Sequence, residues 1–168
     1  MSNMLKQTGV PSTDDLKRVS PSEVRLALGP VAIIECFQKI PCNPCATSCP
    51  QGAIKPFVDI NDLPDFDPAL CNGCAICVAN CPGLAIFVVD ERYSEDTALI
   101  KLPYEFAPLP EVGTMVGVLN RGGQQIGVGK IVRVQNPPRF DRTAVVHVEV
   151  PKCLAREVRF LALGANKR

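Results

Sequence analysis

Short apolar runs bounded by turn residues dominate the chain, and this pattern predicts strands more often than helices. Three such runs precede residue 95: VAIIE (31–35), GAIKPFVDI (52–60) and GLAIFVVDE (83–91). Each is rich in β-branched residues and lies near Gly, Pro or Asp, which is typical of a strand. We therefore expect three strands in this part of the chain.

A second β-rich region follows residue 95. Its apolar runs are TALIKL (97–102), TMVGVL (114–119), IGVGKIVRV (126–134) and TAVVHVEV (143–150), and Pro-rich or Gly-rich turns separate them. This order predicts a small antiparallel β-barrel or sandwich. In CLAREVRFL (153–161), Leu154, Val158 and Leu161 have helical spacing, which predicts a closing helix.

Two helix starts precede the first strand. Ser12 stands before TDDLKRV, and Ser20-Pro21-Ser22-Glu23 has the form of a capping box with Pro at the first helical position. We expect the second helix, SEVRLAL, to stop at Gly29-Pro30. These signals predict a short helical arm that either packs on its own chain or grips a partner subunit.

The predicted fold class is therefore α+β, in three parts. They are an N-terminal arm (1–30), a cysteine-rich domain (31–94) and a β-rich domain (95–168), with the second boundary near Tyr93-Ser94-Glu95.

Composition narrows the possible functions. Pro makes up 16 of 168 residues, about twice its usual share, and Trp is absent. The formal net charge is +1, and basic and acidic residues are interspersed. The sequence therefore lacks the clustered positive charge that is typical of nucleic-acid binding. The first residues lack an apolar signal region, and no apolar stretch is long enough to span a membrane. Nine cysteines without a secretion signal favour the reducing cytoplasm, where dense cysteine usually indicates metal binding.

Eight of the nine cysteines lie in two runs that repeat each other. Six positions recur 32 residues later without an insertion, which indicates two copies of one supersecondary unit. Cys42, Cys45, Cys49, Pro50, Ala53 and Ile54 match Cys74, Cys77, Cys81, Pro82, Ala85 and Ile86.

The second run has the spacing of a bacterial [4Fe–4S] site: Cys71-x2-Cys74-x2-Cys77-x3-Cys81-Pro82. Three thiolates on one tight loop can reach three corners of a cubane cluster, whereas the fourth points elsewhere. Pro82 disfavours continued helix at Cys81 and turns the chain away. Small residues such as Gly73 and Ala75 let backbone N–H groups approach the sulfurs and stabilise the negative charge of a cluster.

Zinc and disulfides are the alternatives for these cysteines. Structural zinc sites usually pair two C-x2-C knuckles separated by a longer stretch, which fits two tight four-cysteine runs less well. A disulfide framework needs an oxidising compartment, and it would leave one of nine cysteines over.

The first run departs from the usual spacing. Its first ligand would fall at Lys39, which cannot coordinate iron here, and Cys36 is the nearest thiol. The longer loop FQKIP would then have to bulge so that Cys36 reaches the cluster. If Cys36 is instead a buried thiol at the end of its strand, a [3Fe–4S] cluster on three cysteines is expected.

With these motifs, residues 31–91 resemble the bacterial-type dicluster 2[4Fe–4S] ferredoxins. The resemblance implies a ferredoxin-like fold with short helices and two clusters, in which the fourth cysteine of each run crosses to the other site. Carried over, cluster 1 takes Cys36, Cys42, Cys45 and Cys81, and cluster 2 takes Cys71, Cys74, Cys77 and Cys49.

A narrower resemblance covers the stretch GPVAIIECFQKIPCNPCATSCPQGAI and the β-rich extension. It is similar to the iron–sulfur subunits that accompany FAD-dependent dehydrogenases of proline, hydroxyproline or related imino acids. The resemblance implies a non-catalytic electron-transfer subunit of a cytoplasmic hetero-oligomer. FAD or FMN would then be on a partner, because this chain has neither a G-x-G-x-x-G motif nor a phosphate loop.

Two alternative functions make different demands on the chain. A free ferredoxin serving several enzymes would need little beyond residues 31–91. A structural cluster domain in a nucleic-acid-processing assembly would need exposed aromatics on the C-terminal strands, where Tyr104 and Phe140 are the evident candidates. His147, within a strand, is expected to be structural rather than catalytic, and the remaining Cys153 is expected to be a buried structural thiol.

Overall fold

Seven strands form one antiparallel sheet in residues 2–162, the part of the chain that this computed structural model describes. The order across the sheet is β1-β2-β3-β6-β5-β4-β7, so β1 and β7 are its two ends and the sheet is open. The predicted class, helices with antiparallel strands, is confirmed. The strands are β1 (Val31–Ile34), β2 (Ile86–Asp90), β3 (Thr97–Tyr104), β4 (Met115–Leu119), β5 (Gln125–Gln135), β6 (Ala144–Pro151) and β7 (Phe160–Leu161).

All the described helices are short, and none is long and apolar enough to cross a bilayer. The α-helices are α1 (Asn3–Thr8), α2 (Thr13–Val19), α3 (Glu23–Leu26), α4 (Pro44–Thr47) and α5 (Ile76–Asn80). Three 3₁₀ helices cover Pro68–Leu70, Pro138–Phe140 and Lys152–Leu154.

The sheet has a hydrophobic core on each face. Because side chains alternate along a strand, Phe87 and Val89 of β2 point to one core and Ile86 and Val88 to the other. The first, here called the sheet core, is built mainly from strands β3 to β7. The second, here called the cysteine core, contains Cys45, Cys77, Val78, Ile54 and Phe140. The sheet is therefore the common wall of the two cores.

The predicted boundary near residue 94 falls in the turn between β2 and β3, and these two strands pair with each other. β3 in turn pairs along its whole length with β6. The later strands therefore continue the sheet that β1 and β2 begin, and within residues 2–162 they do not form a separate closed barrel. The division into domains at this point stays a prediction.

The arm packs on its own chain. Ser12 caps α2 and forms a capping box with Asp15, and Leu26 of α3 is buried. The predicted box at Ser20–Glu23 is wrong, because Ser22 is the N-cap of α3 and Pro21 precedes the helix. The helix is also shorter than predicted, ending at Leu26.

Two predicted elements are wrong. Residues 52–60 form only an isolated bridge, Ile54 to Phe66, because Pro56 lacks an N–H and Asp59 accepts a turn bond from the Asn61 N–H at 2.8 Å. Residues 153–161 end in β7 instead of a helix.

Contacts with distant residues determine the conformation of residues 153–161. The Arg159 N–H donates to the Leu119 carbonyl of β4, and its guanidinium donates to the Glu35 carboxylate. These contacts outweigh the helical pattern of the segment.

Candidate metal centres

The repeat in sequence is a repeat in structure. α4 and α5 begin 32 residues apart, at Pro44 and Ile76, and each holds a buried cysteine, Cys45 and Cys77. Each helix ends before the Cys-Pro pair, and Cys81 is extended at φ −84°, ψ 107°. The predicted effect of the proline on Cys81 is confirmed.

The first cavity is surrounded by Cys36, Cys42, Cys45 and Cys81. Cys36 therefore lies with the standard cysteines of its run, and Phe37, Gln38 and Ile40 of the loop after it line the same cavity. Burial, together with the Cys81 and Cys42 thiols, raises the pKa of Cys36. Burial and the same neighbours raise the pKa of Cys45 to about 11. The four cysteines thus share one cavity.

The second cavity is surrounded by Cys49, Cys71, Cys74 and Cys77. Its other walls are largely apolar and include Ile54, Phe66 and Val88. Burial raises the pKa of Cys77 to about 12, and the thiols of Cys71, Cys74 and Cys49 add to the rise. Each cavity therefore takes three thiols from one run and one from the other.

The donor chemistry of both cavities fits an iron–sulfur cluster. Four thiols surround each cavity, and soft thiolates are the ligands that such clusters take. Among the described residues, no three His, Cys, Asp or Glu side chains converge as the ligands of a single metal ion do. The iron atoms of a cubane occupy separate corners, so its thiolates stand further apart than those of a mononuclear site.

Backbone N–H groups point at two of the sulfurs. The Gly73 N–H donates to Cys71 Sγ and the Ala85 N–H to Cys81 Sγ, both at 3.4 Å. The predicted approach of a backbone N–H to a sulfur is confirmed at Gly73. Ala75 instead takes a left-handed conformation, φ 67°, and is the N-cap of α5.

The loop of the second run is held from outside by two cations that the sequence did not single out. Arg25 of α3 donates to the carbonyls of Cys71 and Pro68, both at 2.6 Å. Lys101 of β3 donates to the Gly73 carbonyl at 2.6 Å. No sequence motif marks these residues, because each comes from a separate element and acts on main-chain oxygens.

A buried ion-pair group lies beside the first cavity. Glu35, next to Cys36, accepts from Arg121 Nη2 at 2.8 Å and from Arg159 Nε at 2.7 Å. The three side chains are 8%, 10% and 5% exposed. Burial alone would raise the pKa of Glu35, but the two guanidinium groups hold it below its usual value.

The other candidate residues lie apart from the cavities. His147 is buried in β6, and its Nε2 pairs with Gln135 Oε1 at 2.9 Å. Cys153 is exposed, so the prediction that it is buried is wrong. It lies in the 3₁₀ helix Lys152–Leu154, which has no buried residue. Tyr104 and Phe140 are both buried and so do not offer faces for stacking nucleobases.

Comparison with known proteins agrees with this geometry. Residues 40–93 match a family described as "4Fe-4S dicluster domain". The matched segment includes seven of the eight run cysteines and begins after Cys36. No curated protein and no solved structure matches the chain.

The match and the clustered cysteines support a dicluster ferredoxin-type protein with an iron–sulfur cofactor. A domain of this kind indicates electron transfer.

Proposed function

We propose that this chain is a non-catalytic electron-transfer subunit that holds two [4Fe–4S] clusters. It relays single electrons between a flavin-bearing dehydrogenase subunit and an acceptor. The observation that carries the proposal is the arrangement of the cysteines, four around each of two cavities with one thiol exchanged between the runs.

The proposed ligands follow the cavity walls. Cluster 1 is held by Cys36, Cys42, Cys45 and Cys81, and cluster 2 by Cys49, Cys71, Cys74 and Cys77. Cys36 replaces the ligand that Lys39 cannot supply, and its position on the first cavity supports a four-iron cluster there.

When bound, the clusters supply one-electron oxidation and reduction, and the chain sets their position and surroundings. Apolar side chains, among them Ile34, Ile86 and Val88, line the cavities and limit the access of water. The Gly73 and Ala85 N–H groups stabilise negative charge on the sulfurs. Cys45 and Cys77 lie in one hydrophobic core, so the two sites are neighbours and suit a relay.

The flavin partner is inferred from chemistry and resemblance. The chain has no nucleotide-binding motif, so its electrons have to come from another protein. The wider resemblance points to an amino-acid or imino-acid dehydrogenase in a cytoplasmic hetero-oligomer. The arm and the strands after residue 95 are the parts we propose for docking.

Metal and partner analysis of the native complex tests this proposal. The chain is purified anaerobically from its host, and iron, sulfide, zinc and flavin are counted per chain. About eight iron and eight sulfide, as expected for two four-iron clusters, with a flavin-bearing partner, would support the proposal. Zinc in place of iron would refute it, and a full iron count without a partner would favour a free ferredoxin.

Two serine variants sharpen the assignment of Cys36. Cys36→Ser should convert or lose cluster 1, whereas Cys153→Ser, at the exposed cysteine outside both cavities, should leave the iron count unchanged. An unchanged iron count and an unchanged EPR spectrum in Cys36→Ser would remove Cys36 from the ligands.

A further inference from the structure

The two candidate cluster sites differ in the charges beside them. Two carboxylates, Glu35 and Asp62, line the first cavity, and no charged side chain lines the second. Behind the second cavity, however, the side chains of Arg25 and Lys101 reach the backbone of the Cys71–Cys74 loop.

The cations beside the first cavity are paired. Arg121 and Arg159 both bond Glu35, Arg121 also pairs with Glu157, and Lys39 pairs with Asp62 at 3.4 Å. These charges sum to zero, so they favour neither redox state of cluster 1 strongly.

The cations behind the second loop are not paired in this way. Within residues 2–162, no carboxylate oxygen lies within 4 Å of the Arg25 guanidinium or of Lys101 Nζ. Burial lowers the pKa of Lys101; the Cys74 thiol and Asp90 oppose this lowering, and Arg133 adds to it. Their donors instead meet carbonyls: Arg25 bonds Pro68, Gly29, Pro30 and Cys71, and Lys101 bonds Gly73.

The second loop is also fixed between these two groups. Gly73 has φ +67°, and a Cβ built on it would lie 2.5 Å from Pro30 Cβ. The arm therefore presses on one side of the loop while Lys101 holds its carbonyl. A charge held at a fixed place acts on the cluster without prior reorganisation of the loop.

Net charge and nearby charges are among the main determinants of the potential of an iron–sulfur cluster. A [4Fe–4S] core with four thiolates goes from −2 to −3 when it gains one electron, so a fixed cation favours the reduced state. We infer that Arg25 and Lys101 make cluster 2 the higher-potential cluster of the pair, so that the first electron to enter the chain resides there. This inference rests on the proposed function and assigns the order of reduction within it.

An EPR-monitored redox titration of the full, anaerobically loaded chain tests the inference. In Lys101→Gln, which keeps a hydrogen-bond donor but not the charge, the ratio of reduced to oxidised cluster 2 at fixed potential should fall about tenfold. That change is about 59 mV for one electron, and it should appear in the upper of the two reduction waves. Lys101→Arg keeps the charge and should leave the wave in place.

Control variants identify the waves. Lys130→Gln removes the same charge at an exposed position on β5 and should move neither wave. Cys42→Ser alters a proposed ligand of cluster 1 and should disturb only the lower wave. This second measurement tests the order of the potentials even if Lys101→Gln does not hold its clusters.

Three results would overturn the inference: a shift of the lower wave in Lys101→Gln, no shift of either wave, or disturbance of the upper wave by Cys42→Ser. Iron and sulfide are counted before the titration. A chain with one cluster, or with zinc, would refute the proposed function and this inference with it, and the counts distinguish that result from a wrong order of potentials.

Discussion

Beside the first cavity, buried arginines share a glutamate, whereas the two cations behind the second cavity bond only main-chain carbonyls among the described residues. The two runs of cysteines nevertheless have almost the same spacing and place their helices at equivalent positions. Spacing is set by the ligands that a cluster needs, so the repeat preserves it. The charged side chains beside the cavities lie outside the repeated positions, and there the two sites differ.

The largest effect is expected from the ion-pair group beside the first cavity. Glu35→Gln would leave Arg121 and Arg159 buried without their carboxylate, which should cost about 3–5 kcal/mol of unfolding free energy. It should also raise the potential of cluster 1 towards that of cluster 2, because two cations lose their counter-charge. Chemical denaturation and a redox titration measure the two effects.

Glu23→Gln is the matched control for this change. Glu23 also pairs with an arginine, Arg156, but its side chain is 77% exposed, so stability and both potentials should hardly change. Equal effects of the two variants would show that burial of the first group does not matter.

A methyl group at Gly73 should push the second loop away from Pro30 of the arm, which it contacts closely. Gly73→Ala meets Pro30 and forces a left-handed alanine, together about 3 kcal/mol, and about half of the iron should be lost. Gly52→Ala has a similar φ, +60°, but no atom within 4 Å, and its repeat counterpart Leu84 already has φ 50°. Iron analysis that shows full retention in Gly73→Ala would contradict the close packing of arm and loop.

Adjacent valines of β2 separate the effects of the two cores. Val88 and Val89 are both fully buried, and either substitution by Ala should cost about 2 kcal/mol, since each removes the same methyl groups. Val88→Ala opens the cysteine core and should speed iron release to a chelator, whereas Val89→Ala opens the sheet core and should not. Equal rates of iron release in the two variants would mean that the sheet does not separate the cores.

The smallest effect concerns His147, the one histidine of the chain. Burial, with Lys101 and Arg133 nearby, lowers its pKa to about 4. Because the unfolded chain binds this proton near pH 6.5, stability should fall as pH drops from 6.5 towards 4, by less than about 1 kcal/mol between pH 7 and pH 6. Histidine NMR should show that the pKa of His147 rises in Lys101→Gln and does not change in Lys130→Gln. An unchanged value in Lys101→Gln would place Lys101 too far away to act.

Much of the candidate site could be predicted from the sequence, because its spacing is local. Cysteines at fixed short separations can meet only in a few ways, and the 32-residue repeat showed that the two runs share one geometry. The position of Cys36 on the first cavity also follows from counting residues, since Cys36 is the nearest thiol to the missing position that the standard spacing does not already use.

The surroundings could not be predicted, because they depend on contacts between distant residues. Arg25 reaches Cys71 across 46 residues, and Arg159 reaches Glu35 across 124. The same contact draws residues 153–161 away from the helix that their spacing favours. The strand predicted for 52–60 is absent for a local reason. Pro56 and the turn at Asp59 prevent it, although the apolar run of this segment favours a strand.

The exchange of one cysteine between the runs has a consequence for assembly. Cys81 lies on the first cavity and Cys49 on the second, so a run that closes around one cluster has already placed a ligand for the other. In the proposed two-cluster chain, the entropy lost in closing the loops falls mainly on the first cluster to enter, because metal binding and folding are coupled. When both sites are intact, chains with a single cluster should therefore be scarce when iron is limiting, whereas a variant that damages one site can still load the other.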